Sequence, residues 1–126
     1  MGKEKLEKLE KIEKILDMIM VSSKNLNGCS IITNDGFSIA NRFVNGIDED
    51  SAAELSISLQ KASETLSRKI LNENQKFTSI RGVNGFITLT KLTSDSMLLL
   101  LTDDKASLGI ITLEQKQNIH DLLEIL

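Results

Sequence analysis

Cys29-Ser-Ile-Ile-Thr-Asn-Asp-Gly-Phe-Ser-Ile-Ala-Asn-Arg-Phe43, followed by a helical pattern that opens at Ser51-Ala-Ala-Glu54 and runs to about Leu71, decides the fold of this chain. Asp35-Gly36 separates two apolar runs, and glycine accepts the positive φ that a tight hairpin loop demands, so Cys29 to Phe43 reads as two antiparallel strands. Both faces of the first strand are largely apolar, and Met97 to Leu101 is apolar at every position. Strands of that kind need cover on two sides. Helices on both faces of one sheet are therefore expected.

The helix after the hairpin has a regular stripe of Ala52, Leu55, Leu59, Ala62, Leu66 and Ile70, at spacings of three and four residues, which is expected to lie on the sheet. Ser51 with Glu54 forms an S-x-x-E capping box at its start. Beside the stripe fall Ser56, Ser63 and Ser67. Two readings of that edge stand on spacing alone: small side chains that let a second helix approach closely, or a plain solvated face. Val44 to Asp50 is a polar connection, and its acidic run Asp48-Glu-Asp50 lacks calcium-loop spacing. Negative charge there suits a helix amino terminus, where the backbone dipole favours it.

Working outward, Leu6, Leu9, Ile12, Leu16 and Ile19 put one apolar face on a first helix over residues 3–21, with Ile15 and Met20 widening it. Glu4 with Lys8, Glu7 with Lys11 and Glu10 with Lys14 are acid-first i,i+4 pairs, each worth about 0.2–0.5 kcal/mol. Gly28 reads as a left-handed stop before the first strand. Lys76 to Arg81, Phe86 to Leu92 and Ser96 to Thr102 read as a three-strand meander on short turns, with Phe77 and Ser79 on one side of their strand and Thr78 and Ile80 on the other. A final helix follows, beginning either at Leu108 or at the second capping box of Thr112 with Gln115.

The chain has 126 residues, which suits one domain spanning residues 1–126. Fifteen Lys and Arg against eighteen Asp and Glu leave a net charge of -3, and the four aromatics are all Phe. Neither a basic field for phosphates nor a platform for stacked bases is present, which argues against nucleic acid. Cys29 is the only cysteine, so an intramolecular disulfide framework is impossible. No apolar run approaches the ~20 residues needed to cross a bilayer. A cytoplasmic location without direct membrane insertion is the expectation.

Chemistry has little foothold. His120 is the only histidine, and one imidazole without a cysteine partner cannot build a conventional zinc site. Cys29 as a nucleophile would need that imidazole brought to it from a distant element. Gly82-Val-Asn-Gly85 has the spacing of a nucleic-acid clamp loop but joins two strands rather than two helices, so it reads as a turn. Phosphate-binding loops and G-x-S-x-G elbows are absent from the sequence. No catalytic residue, cofactor or metal site is expected.

Gly28-Cys29-Ser30, Asp35-Gly36, Asp48 to Asp50, Ala52-Ala53 and Leu108-Gly109-Ile110, in that order and in register with the expected elements, resemble the Roadblock/dynein light-chain family over about Leu16 to Leu126. The resemblance implies an α/β fold of the α+β type, a three-layer α/β/α sandwich. Its five-stranded antiparallel sheet follows the order helix-strand-strand-helix-strand-strand-strand-helix, with the long second helix on one face and the first and last helices on the other. It also implies dimerisation through the second helix and the next strand, at Ser56, Leu59, Ser63, Ser67, Phe77 and Ser79. The implied function is non-enzymatic: a homodimeric adaptor that binds or regulates a small Ras-like GTPase, or joins another Roadblock or longin-type protein, with recruitment to membranes through partners. The alternative is a longin-like or profilin-like module for vesicle trafficking or ligand sensing. Longin domains begin with strands, however, and a profilin would be expected to carry surface aromatics. The charged extension Lys3 to Lys14 exceeds the family's minimal first helix.

Overall fold

A computed structural model describes residues 2–44 and 46–126, so Asn45 of the polar connection lies outside the described residues. The elements are α1 (Gly2–Ser22), β1 (Leu26–Thr33), β2 (Ser38–Phe43), α2 (Glu49–Leu66), β3 (Phe77–Arg81), β4 (Gly85–Thr93), β5 (Ser96–Asp103) and α3 (Leu108–Ile125). All five strands join one antiparallel sheet in the order β2-β1-β5-β4-β3. The uniformly apolar strand is thus central. Side chains alternate across it: Leu98 and Leu100 enter the core under α1 and α3, whereas Met97 and Leu99 enter the core under α2. The α+β fold, its element order and its three layers agree with the sequence-based expectation.

α1 inserts Ile12, Leu16 and Ile19 into the first core, and α3 adds Ile111 and Leu122. Polar contacts fix the two helices together, since Gln115 Nε2 donates to Ser22 Oγ at 2.8 Å and Asn118 Nδ2 donates to the same oxygen at 3.2 Å. Gln115 is fully buried, so the bond to Ser22 satisfies an amide that water cannot reach. Among the described residues the acid-first pairs of α1 do not close into ion pairs, and its first turns stay solvated. Asp17 instead turns to β2, accepting from Arg42 Nε at 2.7 Å.

Three local expectations are corrected, and one choice left open by the sequence, the start of α3, is decided. Asp48, not Ser51, caps α2: its carboxylate accepts from the backbone N–H of Asp50 and Ser51, and the helix opens three residues earlier than the capping box suggests. α3 begins at Leu108 with Ser107 as cap, whose Oγ accepts from Ile110 N–H, so Thr112 is already one turn inside. Gly28 is not a helix stop but lies within β1, where a Cβ would strike the Phe43 ring and stand 3.1 Å from Arg42 O. The expected stripe of α2 also faces the wrong way.

The side of α2 laid against the sheet carries Ala53, Ser56, Ile57 and Gln60, which are buried. Small and polar residues there let the helix sit low over β1 and β2. Leu55, Leu66 and Ile70 consequently point outward at 69%, 64% and 73% exposure, and only Ala52 and Leu59 of the stripe touch the core. Beyond Leu66 the helix widens into a π turn, Ser67–Leu71, and stops at Asn72 in the left-handed conformation with φ 59°. Gly36 does take the positive φ expected of the hairpin, at 85°.

Candidate functional site

Catalytic machinery does not assemble among the described residues. Cys29 is sealed under α1, with its thiol directed at Leu16 O 3.9 Å away, and burial pushes its pKa up to about 12. A thiol held neutral in this way is a poor nucleophile. His120 lies exposed on α3, where its Nε2 is 3.1 Å from Glu124. Among the described residues no three His, Cys, Asp or Glu side chains gather into a metal-binding group. Asp48 has its carboxyl held below the usual range, chiefly by the Ser51 hydroxyl and backbone N–H that stabilise its charge as a helix cap.

The feature that stands out is an uncovered apolar face along α2 and β3. Leu55, Leu66 and Ile70 expose a continuous outward stripe, and Leu71 extends it around the π turn. An open groove of about 590 Å³ runs between the carboxyl half of α2 and the start of β3, lined by Ser63, Leu66, Ser67, Ile70, Phe77 and Thr78. β3 is one of the two edge strands of the sheet, and four of its five residues are exposed. Exposed apolar patches with unpaired backbone beside them mark association surfaces.

A relay of side-chain hydrogen bonds joins α2 to the segment beside the groove. Gln60 Nε2 donates to Gln75 Oε1 at 2.6 Å, and Gln75 Nε2 donates to Thr78 Oγ1 at 2.9 Å. Glu64 and Lys91 add an ion pair of 3.3 Å between α2 and β4. These bonds tie the carboxyl half of α2 to the segment entering β3 and to β4.

The six residues expected at a dimer interface are not all together. Ser63, Ser67 and Phe77 line the groove, and Leu59 is half-buried at the foot of the stripe. Ser56 is buried against the sheet. Ser79 is exposed on β3, but its register opposite Thr88 puts it, like Phe77, on the α3 side of the sheet. Leu55, Leu66 and Ile70 were not placed on this face by sequence reasoning, although their periodicity marked them as a unit. Gln60 and Gln75 carried no recognisable pattern.

The profile of the Roadblock/LC7 domain matches residues 13–102. Among solved structures, Myxococcus xanthus MglB superposes with a TM-score of 0.84 at 23% identity, covering 93% of this chain and 88% of that one. The gliding protein mglB from Thermus thermophilus gives 0.83 at 20% identity, with 94% and 90% covered. An MglB described as having a tetrameric arrangement gives 0.83 at 21% identity, with 94% and 89% covered. At these identities the likeness is one of fold. None of the curated proteins compared with the chain matches it.

Proposed function

The chain belongs to the Roadblock/LC7 domain family, and from that premise we propose that it is a non-enzymatic homodimeric adaptor which binds or regulates a small Ras-like GTPase. The observation that carries this reading is the outward stripe of Leu55, Leu66 and Ile70 beside the open strand β3. A lone domain gains nothing by exposing those side chains, whereas a second copy laid along them buries both stripes at once. Burying one such side chain is worth about 1.5–3 kcal/mol, enough in combination to hold two chains together. The paired copies would form a broad platform on which a globular partner can sit.

Adaptor function is supported by membership of the Roadblock/LC7 domain family and by the exposed apolar face along α2 and β3. No described helix is long and apolar enough to cross a membrane, so membrane recruitment would run through partners. The solved relative with a tetrameric arrangement supports assembly as a property of the fold. Light scattering of the purified chain tests the dimer, and co-precipitation with GTP-loaded and GDP-loaded small GTPases tests the partner. A species of twice the chain mass and retention of a GTPase in at least one nucleotide state are expected; binding in neither state would overturn the GTPase reading.

A further inference from the structure

We propose that the cleft between α3 and the sheet is a binding site for a small neutral molecule, one apolar ring carrying a single hydroxyl group. α1 packs over β1 and β2, and α3 packs against β4. Strands lie about 4.8 Å apart and packed helices about 8–10 Å apart, so each helix roofs about two strands and a pair leaves one of five uncovered. The shortfall falls beside β3, where Phe77 is left half-exposed. A hollow of about 120 Å³ opens there, floored by Phe77, Thr88, Thr90 and Leu100 and roofed by Ile111 and Ile119.

Size and charge define the class of ligand. Protein interiors keep few voids larger than a water molecule, so a hollow of this volume is unusual beside a packed helix. An apolar cavity of about 150 Å³ stays dry and takes up benzene, which puts the scale of the ligand at one six-membered ring. None of the side chains lining the hollow is charged. A carboxylate or phosphate would lose its water there without gaining a counter-ion, which excludes anionic ligands.

The polar handle is Thr88. Its register opposite Ser79 and Leu100 puts it on the α3 side of β4, and Thr90 follows two residues on, on the same side. Thr88 is only 3% exposed, and its hydroxyl forms no hydrogen bond among the described residues. A buried polar group in that state calls for a partner. Gln115, the other buried amide or hydroxyl residue at the hollow, is already committed: its Nε2 donates to Ser22 Oγ, and its Oε1 accepts from Asn118 Nδ2. A hydroxyl both donates and accepts, so Thr88 can pair with a ligand hydroxyl in either direction. The site uses no residue of the outward α2 stripe, so it stands or falls independently of the proposed adaptor function.

The test titrates phenol, and benzoate as its charged counterpart, into the isotope-labelled full chain and follows the backbone amide signals by nuclear magnetic resonance. Saturable phenol shifts centred on Thr88, Thr90 and Ile111 are expected, with benzoate weaker by about tenfold or more. Thr88→Val keeps the shape and removes the hydroxyl, so phenol affinity should fall by about tenfold. Ile119→Phe fills the hollow, so the shifts should vanish while the circular dichroism spectrum stays that of the parent. A parent that does not respond to phenol, or shifts that centre elsewhere or persist in Ile119→Phe, overturns the site. Benzoate binding as tightly as phenol, or undiminished affinity in Thr88→Val, overturns the neutral hydroxyl ligand. Should Ile119→Phe misfold, Thr88→Val and the map of shifts in the parent decide the matter.

Discussion

Gln60 and Gln75, fifteen residues apart in sequence, share a buried hydrogen bond of 2.6 Å that ties α2 to the segment entering β3. Both side chains are almost wholly removed from water, so truncating one strands the other. Gln75→Ala should destabilise the fold by about 1–3 kcal/mol, the cost of an unpaired buried amide, whereas Gln60→Met with Gln75→Leu should restore most of that loss. Urea unfolding of the single and double variants measures the difference.

The outward stripe makes a different demand. Leu66→Arg removes an exposed leucine, so the fold should lose no more than about 0.5 kcal/mol in a single chain, while the proposed dimer should dissociate because a charge is placed in its apolar contact. Ser63→Arg, in the adjoining groove, should act likewise. Light scattering across a dilution series, with circular dichroism as the control for folding, checks both.

Burial of Cys29 links stability to alkaline pH. The thiol is neutral in the fold until about pH 12, against an ordinary value of 9.0, so the unfolded chain loses its proton first as pH rises. Ionisation then favours the unfolded state. This contribution to stability is complete below pH 9.0 and should be lost progressively as pH climbs towards about 12. Unfolding midpoints of parent and Cys29→Ala, compared over that window, should converge on the alkaline side. A thiol-specific reagent should find no reactive group in the native chain and one equivalent after denaturation.

Gly82 and Gly85 flank one turn but should differ in tolerance. A Cβ on Gly85 would stand 2.5 Å from Thr102 O, a backbone atom of the central strand that cannot move aside, while on Gly82 the nearest atom is at 3.4 Å. Gly85→Ala should cost about 1–3 kcal/mol through overpacking, and Gly82→Ala should be close to neutral. Thermal melts of the two variants side by side provide the check.

The strand pattern was legible because alternation, the Asp35-Gly36 turn and the unbroken run Met97 to Leu101 each report local geometry. The orientation of α2 was not. Periodicity identifies a stripe but not what covers it, and here the apolar residues Leu55, Leu66 and Ile70 face out while Ser56 and Gln60 face in. A helix with two sides in use presents such an ambiguity, and only tertiary placement resolves it. The α2 cap was misread for a related reason: Asp48-x-x-Ser51 and Ser51-x-x-Glu54 both satisfy capping chemistry, and the choice depends on where the chain leaves β2. The pairing of Gln60 with Gln75 depends on a path between helix and strand that no local rule encodes.

The position of β5 between two neighbours, with helices above and below, makes it the part of the molecule whose amides should trade hydrogen for deuterium last. β3, held by β4 alone, should trade first. Any visitor that settles on that strand therefore stiffens the softest rim of the domain, and the news of its arrival would be written in slowed exchange there long before the centre registers a change.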